Sequence, residues 1–212
     1  MNTNPAPSIP GTLGYGPQAQ ALAVQYESIA FDDLHREVLH LFPPPPCAVL
    51  DIGAGSGRDA AALARIGHRV TAVEPTAALR QEAQRIHADM PIAWVDDHLP
   101  DLALLHTSAP CFDLVLLTAV WMHLDGAERA RAMQTVATLL SPGGLVVISL
   151  RHGPVPAERR MFDVSAQETV ALGAQHGLTV VHNGRRDDAQ ARADVHWSVV
   201  AMARPKIRIN TA

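Results

Sequence analysis

Two cysteines in 212 residues, Cys47 and Cys111, are too few for a disulfide framework or a cysteine-rich metal cluster, and they suit a reducing cytoplasm. Lysine is scarcer still, since Lys206 is the only one and arginine carries the positive charge. The arginines are scattered and the formal net charge is −4, so the basic stripe that holds nucleic acid is missing. No apolar run reaches the roughly 18 residues of a membrane span. Residues Met1–Pro10 lack the basic start and apolar core of a signal peptide. No group of histidines, cysteines and carboxylates has metal-ligand spacing. What remains is a chain of 48% hydrophobic and 18% charged residues, the profile of one soluble, cytoplasmic domain with a real core. Small molecules and protein side chains stay open as partners, nucleic acid and membrane do not, and the oligomeric state is left open.

Residues 1–12, rich in Asn, Pro, Ser and Thr, have little to bury and read as a disordered tail. Apolar residues near helical spacing run from Pro17 to Phe42 as one or two short helices, and Pro43–Pro46 ends them, because proline has no donor and cannot continue a helix. Residues 13–46 thus form a helical segment and spacer, followed by the main domain over 47–204 and a loose tail over 205–212. Within that domain the apolar run Val49-Leu50-Asp51-Ile52 breaks into Gly53-Ala54-Gly55-Ser56-Gly57 and then into a helix from Asp59 to Ile66. A second strand ends at Glu74, a third covers 91–95, a fourth 112–118 and a fifth 145–150, each preceded by a helical stretch. Ser141-Pro142-Gly143-Gly144 reads as a turn, 151–163 as a loop, 165–176 as a helix, and 178–183 with 194–203 as two last strands joined by a hairpin loop. The expected fold is α/β: a doubly wound, mostly parallel seven-stranded sheet with an antiparallel C-terminal hairpin.

In such sheets a ligand sits beyond the carboxyl ends of the strands. Those ends offer Asp51 with the glycines, Glu74, Asp96 and Asp97, the stretch Thr118–His123, and Arg151–Gly153. Glycine lets the chain turn at positive φ and lets a ligand approach the backbone, and a carboxylate at the tip of the second strand is placed to hold a ribose diol. Asp96 and Asp97 have a second role open to them, capping the helix that follows. His123 and His152 stand just after the fourth and fifth strands, where a general base would be wanted, His152 being the first choice, and the alternative for each is the hydrogen-bonded structural role that a lone histidine more often has. Trp121 and Met122 read as an acceptor wall or as core. Tyr15 and Tyr26 are placed to fold over the site as a lid. Arg151, Arg159 and Arg160 either meet an anionic acceptor or, by default, line a solvated loop, and the same holds for Arg185 and Arg186.

Five segments together resemble the class I S-adenosylmethionine-dependent methyltransferases. They are Val49 to Gly57, Glu74, Val95-Asp96-Asp97-His98-Leu99-Pro100, Phe112-Asp113-Leu114-Val115, and Leu139-Leu140-Ser141-Pro142-Gly143-Gly144. The resemblance is detailed over about residues 45–150 and implies a Rossmann-like methyltransferase that uses S-adenosyl-L-methionine and releases S-adenosyl-L-homocysteine. It places the methionine part on the backbone around Gly53, Ala54, Gly55 and Gly57, with Asp51 assisting through the loop. Glu74, followed by Pro75, holds the ribose hydroxyls. Asp97, with Asp96 beside it, takes the adenine amino group, the His98 amide a ring nitrogen, and Thr118 lies under the sulfonium.

A dinucleotide-binding oxidoreductase shares the first two strand-helix units, but its Gly-x-Gly-x-x-Gly spacing counted from Gly53 requires glycine where Arg58 stands. A non-catalytic binding module on the same fold is the other alternative. Thr118-Ala119-Val120-Trp121 stands where amino-methylating enzymes of DNA bases and glutamine carry an Asn/Asp-Pro-Pro-aromatic motif. The loop after the fifth strand is too short for a substrate domain. O- or N-methylation of a small-molecule acceptor is therefore the expected reaction.

Overall fold

The computed structural model describes residues 9–108 and 111–206. Of the expected N-terminal tail, the described part makes a 3-10 turn at Pro10–Thr12. The expected C-terminal tail lies outside the described residues beyond Lys206. Seven strands form one sheet: β1 (Ala48–Ile52), β2 (Arg69–Val73), β3 (Ile92–Val95), β4 (Phe112–Leu117), β5 (Leu140–His152), β6 (Thr179–Asp187) and β7 (His196–Ala203). Their order is β3-β2-β1-β4-β5-β7-β6, with β1 to β5 parallel and β7 antiparallel to both β5 and β6.

The helices are α1 (Ala19–Glu27), α2 (Phe31–His35), α3 (Arg58–Arg65), α4 (Ala77–Ile86), α5 (Ala103–Ser108), α6 (Gly126–Leu139) and α7 (Ala166–Gln175). Strand side chains alternate between faces. Leu50, Ile52, Val115, Leu117 and Ile148 therefore pack with Met133 and Val136 of α6, while Val49, Leu114, Leu116 and Val147 pack with Ala60 and Leu63 of α3. Both faces are covered, which is why these strands read as continuous apolar runs. No helix among the described residues is long and apolar enough to cross a membrane.

Among the boundaries that differ from the sequence pattern, β5 runs on to His152, where a loop was expected from residue 151, and two others reshape the sheet. The expected turn at 141–144 stays in the sheet as the start of β5, with a register shift opposite Phe112–Leu114. Its backbone is paired, because Gly143 N–H donates to Arg204 O and Gly144 O accepts from Arg204 N–H, both at 2.9 Å. A Cβ on Gly144 would lie 2.9 Å from the carbonyl oxygens of Phe112 and Ser141. Those backbone atoms have nowhere to go, so Gly144→Ala should cost about 1–3 kcal/mol, read as a fall of several degrees in Tm. The second difference is at β6, which extends to Asp187 where a hairpin loop was expected from residue 184. That extension brings Arg186 into register opposite Trp197.

Candidate active site

The strand order reverses between β1 and β4, and a cavity of about 610 Å³ opens there, over the carboxyl ends of β1, β2, β4 and β5. Its floor is the glycine turn. Gly53 and Ala54 donate their N–H groups to Val73 O at 2.8 and 2.9 Å, which fixes the turn against β2. Gly53 has φ +69°, and a Cβ there would fall 2.5 Å from Val120 Cγ2, so only glycine fits.

Glu74 is buried at the tip of β2. Its Oε2 accepts from Gly55 N–H at 2.9 Å and its Oε1 from Thr76 N–H at 2.8 Å. Burial raises its pKa above the ordinary carboxylate value, and the two backbone donors work against that rise. The Thr76 side chain also hydrogen-bonds this carboxyl, and of its roughly four lone-pair sites the remainder is open to a further donor.

Asp51 and Asp59 form a buried pair behind the turn. Asp59 Oδ1 accepts from Arg58 Nε at 2.7 Å, and its Oδ2 from His35 Nε2 and Thr118 Oγ1, both at 2.8 Å. Burial opposes the charge on Asp59, but Arg58 and then His35 hold its carboxyl far below the usual range. Asp51 is pushed well up by burial and by the negative Asp59. Asp59 is therefore much the more readily ionised of the two. Asp51 Oδ2 is buried without a hydrogen-bond partner, and Asp51 lines the cavity.

Several residues singled out in the sequence are placed differently. Asp96 is exposed, pairs with Arg80 at 2.7 Å and does not line the cavity. Asp97 does line it, but its Oδ2 caps α5 by accepting from Leu104 N–H at 2.8 Å and Leu105 N–H at 3.3 Å. Its Oδ1 accepts the His98 N–H at 2.8 Å, so that amide, expected on an adenine ring nitrogen, is engaged within the protein. Pro75 lines the cavity, whereas Gly57 is packed under Trp94 and His87 and serves the turn. Thr118 lines the cavity while its hydroxyl donates to Asp59 instead of facing a ligand. Ala119 beyond it has φ +61°, a conformation that costs a non-glycine residue of order 1–3 kcal/mol, and its N–H donates to Ser149 Oγ at 2.8 Å.

The two histidines separate. His123 lines the cavity, buried, with Nδ1 at 2.7 Å from Arg160 O and Nε2 at 2.9 Å from Tyr15 Oη. A carbonyl only accepts, so Nδ1 holds the proton and Nε2 accepts from the Tyr15 hydroxyl. Burial lowers the His123 pKa, and burial raises that of Tyr15. His152, by contrast, does not line the cavity. The period-two alternation of β5 turns Arg151 toward the cavity and His152 to the other face, where it stacks on His196 at 4.7 Å and bonds Ser198 Oγ at 2.9 Å.

The N-terminal segment lies across the cavity. Ile9, Tyr15, Leu22 and Tyr26 line it, the Arg159 guanidinium stacks 3.7 Å over the Tyr15 ring, and Gln25 bonds Gln190 at 3.0 Å. Trp121 and Met122 are core residues, although Met122 also reaches the cavity wall. Arg160 is committed to Asp125 and Glu128. Sequence reasoning missed Asp59, Arg58 and His35 as a unit, and it read Arg186 by default as part of a solvated loop where the structure has it in β6. Asp59, the first acidic residue of a helix in an otherwise alanine-rich turn, was the available signal.

Residues 50–148 match the model of the methyltransferase domain family. Over 98 residues the chain is 36% identical to a ubiquinone biosynthesis O-methyltransferase of Methylocella silvestris, which covers 46% of this chain and 37% of the relative. Over 111 residues it is 33% identical to an uncharacterized methyltransferase of Mycobacterium tuberculosis, covering 50% and 54% respectively. The chain thus spans about half or less of the length of these curated relatives. A Burkholderia thailandensis 1,6-didemethyltoxoflavin-N1-methyltransferase, solved with 1,6-didemethyltoxoflavin and S-adenosylhomocysteine, superposes with a TM-score of 0.64 at 23% identity, over 95% of this chain and 93% of that one. That likeness shows a common fold.

Proposed function

We propose a function from one premise: this chain belongs to the class I S-adenosylmethionine-dependent methyltransferases. It transfers a methyl group from S-adenosylmethionine to an oxygen or nitrogen of a small-molecule acceptor, leaving S-adenosylhomocysteine. The observation that carries this reading is the convergence of Glu74, the positive-φ glycines and the unpartnered Asp51 oxygen on one cavity. The relatives named for ubiquinone biosynthesis and for toxoflavin methylation support a small acceptor.

The residues fit the donor. Glu74 keeps acceptor capacity beyond its contacts with Gly55 and Thr76, as a ribose hydroxyl requires. The glycine turn lets a ligand approach the Gly53–Gly55 backbone where any side chain would block it. A ligand ammonium beside Asp51 would supply both the missing hydrogen bond and the countercharge that burial withholds. Asp97 offers its remaining acceptor capacity to the base. Bound there, the donor supplies a methyl group made electrophilic by its sulfonium. The chain's own task is to align the acceptor in line with that methyl and to exclude water. We assign water exclusion to the segment over 13–46, acting as a lid through Tyr15 and Tyr26. Cys47 and Cys111, both free thiols, support a reducing cytoplasmic setting.

For a hydroxyl or protonated amine acceptor, the proton passes to the Tyr15 oxygen as the Tyr15 proton moves to His123 Nε2. Replacing His123 by Ala should lower kcat about 10²–10⁴-fold on such an acceptor, while His152→Ala leaves kcat unchanged. His123 must be neutral to act, and its pKa is lowered. The acid limb of the kcat profile should therefore fall below the ordinary histidine value of about 6.5, activity being lost as pH drops through it. The test of the function itself is transfer of labelled methyl from S-adenosylmethionine into a metabolite library. Incorporation into a small product supports the reading. Donor binding with no transfer into metabolite or protein fractions would instead favour a non-catalytic module.

A further inference from the structure

We infer that the acceptor is an anion, held by Arg151 and Arg186 on either side of Trp197. This deepens the proposed function and rests on it for the identity of the acceptor. Arg151 pairs with Trp197 across β5 and β7, and Arg186 pairs with Trp197 across β6 and β7. Residues directly opposite in a ladder share a face, so the three side chains form one row, with the outer backbones about 10 Å apart. All three line the cavity, and the Arg186 guanidinium lies 5.5 Å from the indole. The neighbouring row, His152, His196 and Asp187, lies on the other face.

The charges around this row do not cancel it. Asp188 is the near carboxylate, but its Oδ1 accepts from Arg192 at 2.7 Å and Trp197 Nε1 at 2.9 Å, and its Oδ2 from Arg192 Nε at 2.9 Å and from the Gln190 and Arg192 amides. Arg58 is held by Asp59, and Arg192 by Asp188. Glu37, Asp188 and Asp59 attract Arg186, and Asp188 attracts Arg151, without an ion pair to either. Among the described residues neither Arg151 nor Arg186 has a carboxylate within 4.0 Å. Arg151 donates from one nitrogen, to the carbonyls of Pro154 at 2.9 Å and Gly153 at 3.4 Å. Arg186 Nε is buried without a partner.

A guanidinium presents five donors in a planar fork that matches a carboxylate. Two such forks flanking an indole, on the wall of a cavity whose floor holds the donor residues, suit a flat acceptor with a carboxylate or an equally acidic group. The anion would contact two guanidinium groups that no carboxylate of the described residues reaches within 4.0 Å, beside an indole that can flank a flat ring.

The experiment is calorimetric titration of the full chain with 4-hydroxybenzoate and with its neutral amide, each with and without S-adenosylhomocysteine, and repeated on Arg186→Gln and Arg151→Gln. The anion should bind and the amide bind at least tenfold more weakly. Each substitution should weaken the anion by roughly 10- to 100-fold, with Tm and S-adenosylhomocysteine affinity held. Equal binding of the two probes, no binding of either, or variants indistinguishable from wild type would overturn the inference and leave the methyltransferase reading standing. Absence of S-adenosylhomocysteine binding would remove that reading instead, while the two probes still report on the arginine row.

Discussion

Replacing Glu74 by glutamine should weaken S-adenosylmethionine binding by about 10- to 100-fold, the loss expected when charged hydrogen bonds to a diol become neutral ones or vanish. The amide has one acceptor atom where the carboxylate has two. Gly55 N–H and Thr76 N–H each donate to a different Glu74 oxygen. The amide therefore faces one of those donors with its own NH₂ and offers a ribose only what remains. Stability should change much less, because the substitution also removes a buried charge.

The pH dependence separates the two roles of this side chain. Burial raises the Glu74 pKa. Its ionised form is disfavoured in the native state, so its contribution to folding stability is fully present below the unfolded pKa and is lost as pH rises through the higher native value. Cofactor binding has the opposite sign. The ionised carboxylate accepts from the diol, so affinity should fall as pH drops through that raised pKa. The stability difference between wild type and Glu74→Gln, read by denaturant titration, should turn against wild type as pH rises, while the difference in cofactor affinity, read by calorimetry, should turn in its favour.

The second large effect belongs to Asp59. Its side chain is 4% exposed and accepts from Arg58, His35 and Thr118 at once. Substitution by alanine leaves the buried Arg58 with only Tyr26 O at 3.1 Å and removes the partner of a buried imidazole. Breaking a buried ion pair from one side costs about 3–5 kcal/mol, a large share of a total stability of about 5–15 kcal/mol. The midpoint of urea unfolding should fall accordingly. Asp59→Asn, which keeps the shape and one acceptor, should recover part of it. Because the Asp59 pKa is depressed, its contribution is present above the unfolded carboxylate value and is lost as pH falls toward the native one. The wild-type advantage over Asp59→Ala should therefore shrink in acid. Asp51 should ionise more readily in the variant, since the negative Asp59 is one of the two main causes of its raised pKa.

That the glycine turn and Glu74 meet at one cavity was legible because local sequence dictates it. A glycine turn between an apolar run and a helix has few other conformations, and Glu74 follows from where the second strand must end. The mostly parallel seven-stranded sheet was legible from the alternation of strands and helices, whereas its order, with β7 between β5 and β6, is set by pairing between distant segments. The acceptor half depends on registers between distant segments. Gly143 and Gly144 read as a turn, yet Arg204 pairs with them and they continue β5. Arg185 and Arg186 read as loop, yet β7 pairs with them as strand, and only that register puts Arg186, Trp197 and Arg151 in one row. His152 failed as a candidate base by a single position of strand parity. Asp97 and His98 were found at the cavity, but the α5 amides and the neighbouring carboxylate that engage them could not be read without the fold.

The most direct measurement of the central claim is titration of the chain with S-adenosylhomocysteine, followed by the same titration of Glu74→Gln and by one with a nicotinamide dinucleotide. Saturable binding of one ligand per chain, weakened at least tenfold in the variant and absent with the dinucleotide, is the expected result. No heat with S-adenosylhomocysteine, or the same affinity with and without the Glu74 carboxylate, would contradict the assignment of the glycine turn and Glu74 as the donor site.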